Sequence, residues 1–265
     1  MSWRVVAVGL LAGGVFLAQA ETKPERGKRI VNECLEALGG DRFLSMQSRA
    51  EEGRAYSFYR EELNGLSIAS IYTRYESGVT DTAHKLAVRE RENFGKKQDN
   101  GVLFAEDNAW EITFRGARLL KEDRLLRYKE TTLRDIFYIL RVRLREPGMQ
   151  FESRGADVIQ NVPVEIVDIT DADNRTTTVY FNQLTKLPVR QIFLRRDPVT
   201  RQNDEEVTLF SKYREVSGIQ WPFAIERARN GEKLYQIFSE AVRINDSLPN
   251  KLFDLPSGMK VLKPI

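Results

Sequence analysis

Few side chains in this 265-residue chain could act as nucleophiles or bind a soft metal ion. His84 is the only histidine and Cys34 the only cysteine. A Ser-His-Asp or Cys-His arrangement would need His84, but this residue follows Asp81 to Ala83 and matches no nucleophile motif. One histidine and one cysteine also argue against a zinc-type site, and no glycine-rich phosphate loop occurs. We therefore expect no catalytic residue, no metal and no cofactor.

Carboxylates are the remaining candidates for acid–base chemistry. They cluster at Glu51-Glu52, Glu61-Glu62 and Glu205-Glu206, all of which we expect at strand ends or turns, in water. Asp171 to Asn174 resembles the start of a calcium loop but lacks the later Gly and Glu, so a solvated hairpin is predicted there. A hydrolase with paired carboxylates stays an alternative, and two close, partly buried acids in a cleft would favour it.

The first twenty residues have the three parts of an export signal. Arg4 precedes an uncharged apolar run, Val5 to Ala18, and Ala18 to Ala20 form an A-x-A cleavage site. We predict a signal peptide at 1–20 and one domain at 21–265, in the periplasm or another exported location. An uncleaved N-terminal anchor is the alternative, since the run is short for a bilayer span. No transmembrane segment is expected in the mature chain.

The composition excludes some classes of function. Lys and Arg number 41 against 38 Asp and Glu, which argues against a nucleic-acid binder. The apolar fraction of 42% suffices for a core. Because a single cysteine allows no intrachain disulfide, this core alone must hold the domain together.

Hydrophobic periodicity predicts a helix followed by an antiparallel meander. Ile30, Val31, Cys34, Leu35 and Leu38 repeat at helical spacing, and Gly39-Gly40 ends that helix, so Cys34 is expected to be a buried small hydrophobe. The period then changes to 2. Strands are predicted at 50–60, 66–76, near 84–92 and at 110–115, with a hairpin turn at Asn64-Gly65.

A long helix is predicted from Lys121 to Arg145, which contains no Pro or Gly. Its apolar stripe comprises Leu133, Ile136, Phe137, Leu140 and Leu144. The arginines at 134, 141, 143 and 145 are expected on the opposite flank, in water. Contact of this basic helix with a membrane surface is an alternative.

Six further strands separated by short turns are predicted after the helix. They are 162–170, 176–181, 188–195, 205–213, 219–227 and 234–245. The fold class is therefore α+β, mainly antiparallel β, with a curved, incompletely closed barrel and helices packed on or inside its concave face.

Such a barrel can hold an apolar ligand if side chains do not fill it. Each candidate lining residue could equally belong to an ordinary core. The candidates are Phe58, Trp110, Ile112, Phe114, Phe137, Leu140, Phe193, Trp221, Phe223 and Phe238.

Three segments resemble the LolA/LolB-like superfamily of periplasmic lipoprotein carriers, in its outer membrane lipoprotein-sorting protein branch. They are the strand–turn–strand at Tyr180 to Val189, the hairpin at Tyr213 to Phe223, and the closing segment at Leu252 to Gly258. The resemblance implies an unclosed antiparallel barrel around helices, with a cavity that shelters acyl chains. The arginine that latches the best-known carriers is not assigned, because the arginines are too numerous to choose one.

The function predicted from these observations is a non-enzymatic carrier or binding protein for lipid, lipoprotein acyl chains or another hydrophobic ligand. Transient envelope-protein partners are possible, and no nucleic-acid partner is expected. The alternative is an envelope interaction or scaffold protein that uses the same barrel without a ligand.

Overall fold

A computed structural model describes residues 20–82, 84–105, 108–197 and 200–263. Of the predicted export signal, all but Ala20 lies outside these ranges. No helix in the described part of the chain has the length and apolar character needed to cross a membrane.

Short helices are set among many strands. Thr22 begins α1 through a capping box with Glu25, and Gly39, at φ 124°, ends it as predicted. The helices are α1 (Lys23–Leu38), α2 (Asp41–Leu44), α3 (Glu122–Leu133) and α4 (Ile136–Tyr138), followed by a π-helical turn (Ile139–Arg143) and a 3-10 turn (Asn250–Phe253).

The strands form one sheet in the order β14-β6-β5-β4-β3-β2-β1-β13-β12-β11-β10-β9-β8-β7. The described pairings are antiparallel except that of β14 with β6. The strands are β1 (Ser48–Tyr59), β2 (Glu62–Tyr75), β3 (Val88–Phe94), β4 (Asn100–Ala105), β5 (Asn108–Thr113), β6 (Gly116–Leu119), β7 (Gln150–Ile159), β8 (Val162–Thr170), β9 (Thr176–Asn182), β10 (Pro188–Arg196), β11 (Asn203–Val216), β12 (Ile219–Arg229), β13 (Glu232–Ile244) and β14 (Val261–Leu262).

The sheet is open, because β14 and β7 at its two ends do not pair with each other. This confirms the predicted class, a mainly antiparallel and incompletely closed barrel with helices on its concave face. The sequence analysis did not predict β4, β6, β7 and β14.

The main core lies between the sheet and α1, α2 and the 136–144 segment. Phe137 is at its centre, with its ring centroid 4.8 Å from that of Trp221 and 5.1 Å from that of Phe210. Helix α1 packs directly against β7, where a Cβ at Gly27 would lie 2.7 Å from the carbonyl oxygen of Phe151. This half of the concave side is therefore filled by protein side chains.

The predicted hairpin turn at Asn64-Gly65 is wrong. The chain turns at Arg60-Glu61, both of which have positive φ, and Asn64-Gly65 lies inside β2 beside a bulge in the pairing with β1. A Cβ at Gly65 would lie 2.6 Å from the hydroxyl of Ser57 on the paired strand.

The predicted continuous helix from 121 to 145 is also wrong. Helix α3 ends at Leu133, and the Asp135 carboxylate caps a new helix by accepting hydrogen bonds from the N–H groups of Phe137 and Tyr138 at 3.0 and 3.2 Å. Gln191 accepts the N–H of Ile136 at 2.9 Å. These side-chain acceptors satisfy the N–H groups that have no acceptor within the new helix, so a break replaces the regular helix.

Two arginines that were expected in water are buried instead. Arg134 is 8% exposed and Arg143 is 1% exposed, whereas Arg145 is exposed. The Arg143 guanidinium donates to Asp171 at 2.9 Å, to Glu146 at 2.9 Å and to the carbonyl of Leu133 at 2.6 Å. Asp171, predicted in a solvated hairpin, is therefore part of a buried ion cluster, and its pKa lies below the usual value because hydrogen bonds from Arg175 and Arg143 outweigh its burial.

Replacing Arg143 should strongly destabilise the fold. Arg143→Gln leaves buried carboxylates without their cation, so the free energy of unfolding should fall by about 3–5 kcal/mol. The exposed Arg145→Gln should change it by less than about 0.5 kcal/mol. Urea unfolding of both variants measures the difference, and equal effects would contradict the assignment of Arg143 as a buried link.

Candidate functional site: the concave space beneath helix α3

Helix α3 crosses the open side of the sheet. Near its middle, the ring of Tyr128 stacks on Phe104 of β4, with centroids 3.6 Å apart. Just beyond its C-terminus, the Arg134 guanidinium lies over Phe193 of β10 at 5.1 Å. The helix thus connects two strands that lie far apart in the sheet.

The strand order shows how strongly the sheet curves beneath α3. Strands β4 and β10 are seven steps apart in that order, or about 34 Å along the sheet at 4.8 Å per step. A helix of 12 residues is only about 18 Å long. The sheet must therefore bend back on itself, and α3 spans the resulting concave space.

Helix α3 packs lightly on the sheet. Leu133 is its one buried residue, while Leu126 points into solvent. Helix α1 differs, since its buried residues form a continuous stripe from Gly27 to Leu38. Little apolar contact would be lost if α3 moved away from the sheet.

The floor of the space is a small apolar patch on the central strands. Ala55, Ala69 and Ile237 are buried there, from β1, β2 and β13. The side chains around them are only partly buried, which leaves apolar surface facing α3. They are Ile71, Phe94, Ile225 and Tyr235.

Two carboxylates of β3 face the same space. Glu90 and Glu92 alternate on one face of the strand, and Thr73 donates to Glu90 at 3.0 Å while accepting from Arg49 at 3.0 Å. Glu92 makes no hydrogen bond or ion pair with any described residue. Burial, followed by the nearby charge of Glu90, raises the pKa of Glu92 to about 7. Burial raises the pKa of Glu90 as well.

Arg227 of β12 faces these acids across the concave space. Its charge lowers the pKa values of Glu90, Glu92 and Asp135, against the larger effect of burial. Strands β3 and β12 are four steps apart in the sheet, so this interaction crosses the space rather than following the sheet. Arg227 is exposed, and it forms no ion pair within the described ranges.

Arg134 also reaches this space, where part of its guanidinium lacks a partner. Its Nε and Nη1 atoms are buried but donate no hydrogen bond to a described residue, although Nη1 lies 3.2 Å from a Glu130 oxygen. A buried donor without an acceptor costs about 1–3 kcal/mol. The arrangement therefore favours an added acceptor beside Phe193.

The predicted lining residues separate into two groups. Phe137, Leu140, Trp221 and Phe223 belong to the filled main core, and Phe193 lies beneath Arg134 at the space spanned by α3.

The other five lie away from this space. Trp110 and Ile112 pack with Leu255 and Met259 of the C-terminal segment. That cluster is on the convex face, because its member Leu103 is next to Val102, which pairs with Glu92.

Phe114 is 75% exposed at the turn after β5. Phe238 pairs with Arg54 and Ala224, so it faces away from the floor residue Ile237, and Lys233 covers Phe58.

The charged residues of the site were not predicted from the sequence, although one signal was present. Residues 89–92 read Arg-Glu-Arg-Glu, so this strand carries charge on both faces. A strand of that kind cannot bury either face in an apolar core, which indicates a polar concave surface.

Two of the acid clusters that were expected in water have members that are hydrogen-bonded and at least partly buried. Glu51, expected in water, is 2% exposed and accepts a hydrogen bond from Ser239. Glu206 accepts from Arg195 and Arg229. His84 is exposed, and its hydrogen bond to Asp81 raises its pKa. Cys34 is buried, and burial raises the pKa of its thiol. The described residues include no group of three or more side chains suited to hold a metal ion.

Three solved structures share this architecture. A DUF1329 family protein from Desulfovibrio piger is 11% identical, with a TM-score of 0.59 over 88% of this chain and 98% of that one. An outer membrane lipoprotein-sorting protein domain from Vibrio parahaemolyticus is 9% identical, with a TM-score of 0.56 over 87% and 97%. A LolA superfamily protein from Nitrosomonas europaea is 12% identical, with a TM-score of 0.53 over 86% and 97%.

The fold is therefore LolA-like, as the sequence resemblance predicted. At this level of identity the similarity concerns the fold alone. No protein-family model matches the sequence, and no curated protein matches it either.

Ionisation of Glu92 should make stability depend on pH. Its pKa is about 7 in the folded chain against an ordinary 4.5, so between these values the folded state holds the extra proton. The contribution of this carboxyl to the free energy of unfolding is then highest at low pH, and it is lost as the pH rises to about 7. Relative to the Glu92→Gln variant, the free energy of unfolding of the wild type should fall by on the order of 1–3 kcal/mol from pH 4.5 to pH 7.5.

Urea unfolding at several pH values checks this. Glu240→Gln on the convex face is the matched control, since Glu240 is exposed and paired with Arg54. A wild-type-to-Glu92→Gln difference that does not change with pH would contradict the burial of this carboxylate.

Proposed function

We propose that this protein is an exported, non-enzymatic carrier that binds a hydrophobic or amphipathic ligand in the concave space beneath α3. The single observation that carries the proposal is the placement of α3, which spans the open side of a curved sheet with only Leu133 buried. The LolA-like fold is consistent with such a role, and the export signal predicted at 1–20 would put the protein beside a membrane.

Binding would be driven by removing apolar surface from water, at roughly 25 cal/mol per Å². The ligand chain would lie on the patch around Ala55, Ala69 and Ile237, with α3 as its cover. It would not enter the main core, where Phe137 and Trp221 already fill the volume. Entry requires α3 to move, and its light packing keeps the cost of that movement small.

An envelope interaction or scaffold protein is a second candidate. Tyr59, Leu63 and Leu66 near the β1–β2 turn are 63%, 59% and 60% exposed, and exposed apolar clusters mark docking surfaces. A stable protein partner that co-purifies without lipid would favour this function over the carrier.

A hydrolase is a third candidate, favoured by the close acids Glu90 and Glu92. A Glu with a pKa about 7 suits general acid catalysis. Turnover of an ester or glycoside substrate that is abolished in Glu92→Gln would support hydrolysis and contradict a pure carrier.

Fixing α3 to the sheet should block ligand entry. The charged groups of Arg124 on α3 and Glu111 on β5 are 3.7 Å apart, so cysteines at both positions can be joined by a short bifunctional thiol reagent. Cys34 is buried and should not react. We expect uptake of a fluorescent fatty acid to slow at least tenfold in the joined protein, measured by stopped-flow fluorescence.

The matched control places the same link away from α3. Thr170 and Thr176 pair on β8 and β9, with hydroxyls 2.9 Å apart, and cysteines there should leave uptake unchanged when joined. Equal uptake in both joined proteins would contradict entry beneath α3. Absence of uptake by the wild type would contradict the carrier function itself.

A further inference from the structure

We propose that the ligand is an amphiphile whose head group carries both an amine and an anionic group, with the amine at Glu90 and Glu92 and the anion at Arg134 and Arg227. This inference rests on the proposed carrier function and names its ligand class. It follows from Glu92, which has no ion pair with a described residue, on one side, and from the unsatisfied donors of Arg134 and the unpaired Arg227 on the other.

The acidic side has a carboxylate with no cation of the described chain at ion-pair distance. Glu90 is held by Thr73, but Glu92 has neither a hydrogen bond nor an ion pair with a described residue. Arg227 and Arg124 influence its charge only from beyond ion-pair distance. An ammonium group, with three N–H donors, can reach both carboxylates at once.

The basic side offers unsatisfied donors for an independent reason, although Arg134 Nη1 also lies 3.2 Å from a Glu130 oxygen. Arg134 is more than nine-tenths buried, and its Nε and Nη1 atoms donate no hydrogen bond to a described residue. The guanidinium covers Phe193 on the face of β10 beneath the end of α3, so it points into the concave space. A phosphate or carboxylate oxygen would satisfy these donors, and Arg227 adds a second cation without an ion pair.

The two sides face each other but do not neutralise each other. Arg227 alters the pKa values of both Glu90 and Glu92 without forming an ion pair with either. A head group with only one sign of charge would leave the opposite side unpaired in a partly desolvated space. A zwitterionic head between them pairs both sides, and its acyl chain can then follow the apolar floor at Ala55 and Ala69.

Ligands that share one acyl chain and differ only in the head group test this inference. Lysophosphatidylethanolamine carries the amine and the phosphate, lysophosphatidylglycerol lacks the amine, and a fatty acid of the same length has only a carboxylate. We expect the first to displace a bound fluorescent fatty acid at a concentration at least tenfold lower than either of the others. O-phosphoethanolamine, the head group without a chain, should displace the probe at least a hundredfold less well than the lysolipid.

Single substitutions then assign each half of the head group. Glu92→Gln should remove the preference for the amine-bearing lipid, measured as the ratio of the lysophosphatidylethanolamine and lysophosphatidylglycerol affinities. Arg134→Gln should weaken both lysophospholipids about tenfold, and Arg134→Lys, which keeps the charge, should restore part of that loss. The exposed convex-face variants Glu240→Gln and Arg54→Gln are matched controls and should bind as the wild type does.

The outcomes separate this inference from the function on which it rests. If all three lipids bind equally well, the carrier function stands and the head-group assignment is wrong. If none binds, the carrier function itself is contradicted. If O-phosphoethanolamine binds as tightly as the lysolipid, the head-group chemistry is right but the site takes a free small molecule, which overturns the amphiphile. Retained amine preference in Glu92→Gln would also overturn the assignment.

Discussion

The buried guanidinium of Arg143 joins three parts of the chain that would otherwise be independent. It donates to the carbonyl of Leu133 at the end of α3, to Glu146 just after the π-helical turn, and to Asp171 at the β8–β9 turn. A charge buried in this way requires all its partners, because an unpaired ion in the interior is costly. The position of α3 relative to the sheet depends on this cluster.

That constraint divides the concave side into two halves. On one side of Asp135, the segment that begins α4 enters the core and packs Phe137 against Trp221. On the other side, α3 runs out across the sheet and packs only lightly. The same break thus has two consequences. The half with the main core stabilises the fold, and the half beneath α3 keeps charged and apolar surface available to a ligand.

Local patterns predicted the local structure well. Period-2 alternation located β8, β9 and β10 to within about a residue, and the stripe around Cys34 located α1. The prediction failed where a distant partner decides the conformation. The break at Asp135 depends partly on Gln191, which accepts the N–H of Ile136 from 55 residues further along the chain. The buried state of Arg143 depends on Asp171.

The candidate site was predictable only in part. The sequence analysis expected an apolar cavity and selected aromatic residues, half of which lie in the filled core or beneath Arg134 and half away from the concave space. The position of Glu92 opposite Arg227 was not predictable, because the strands that carry them are four steps apart in the sheet. That order is set by long-range pairings such as that of β1 with β13. The charged run in β3 was the one local indication of a polar lining.

A concave space with an apolar floor, unpaired charges and a lightly packed cover is suited to hold an amphiphile. The most direct test is a crystal structure of the protein grown with lysophosphatidylethanolamine. The account predicts acyl-chain density beneath α3 against Ala55 and Ala69, with the amine beside Glu92. Density for the chain on the convex face near Leu66, with none beneath α3 at saturating lipid, would contradict it.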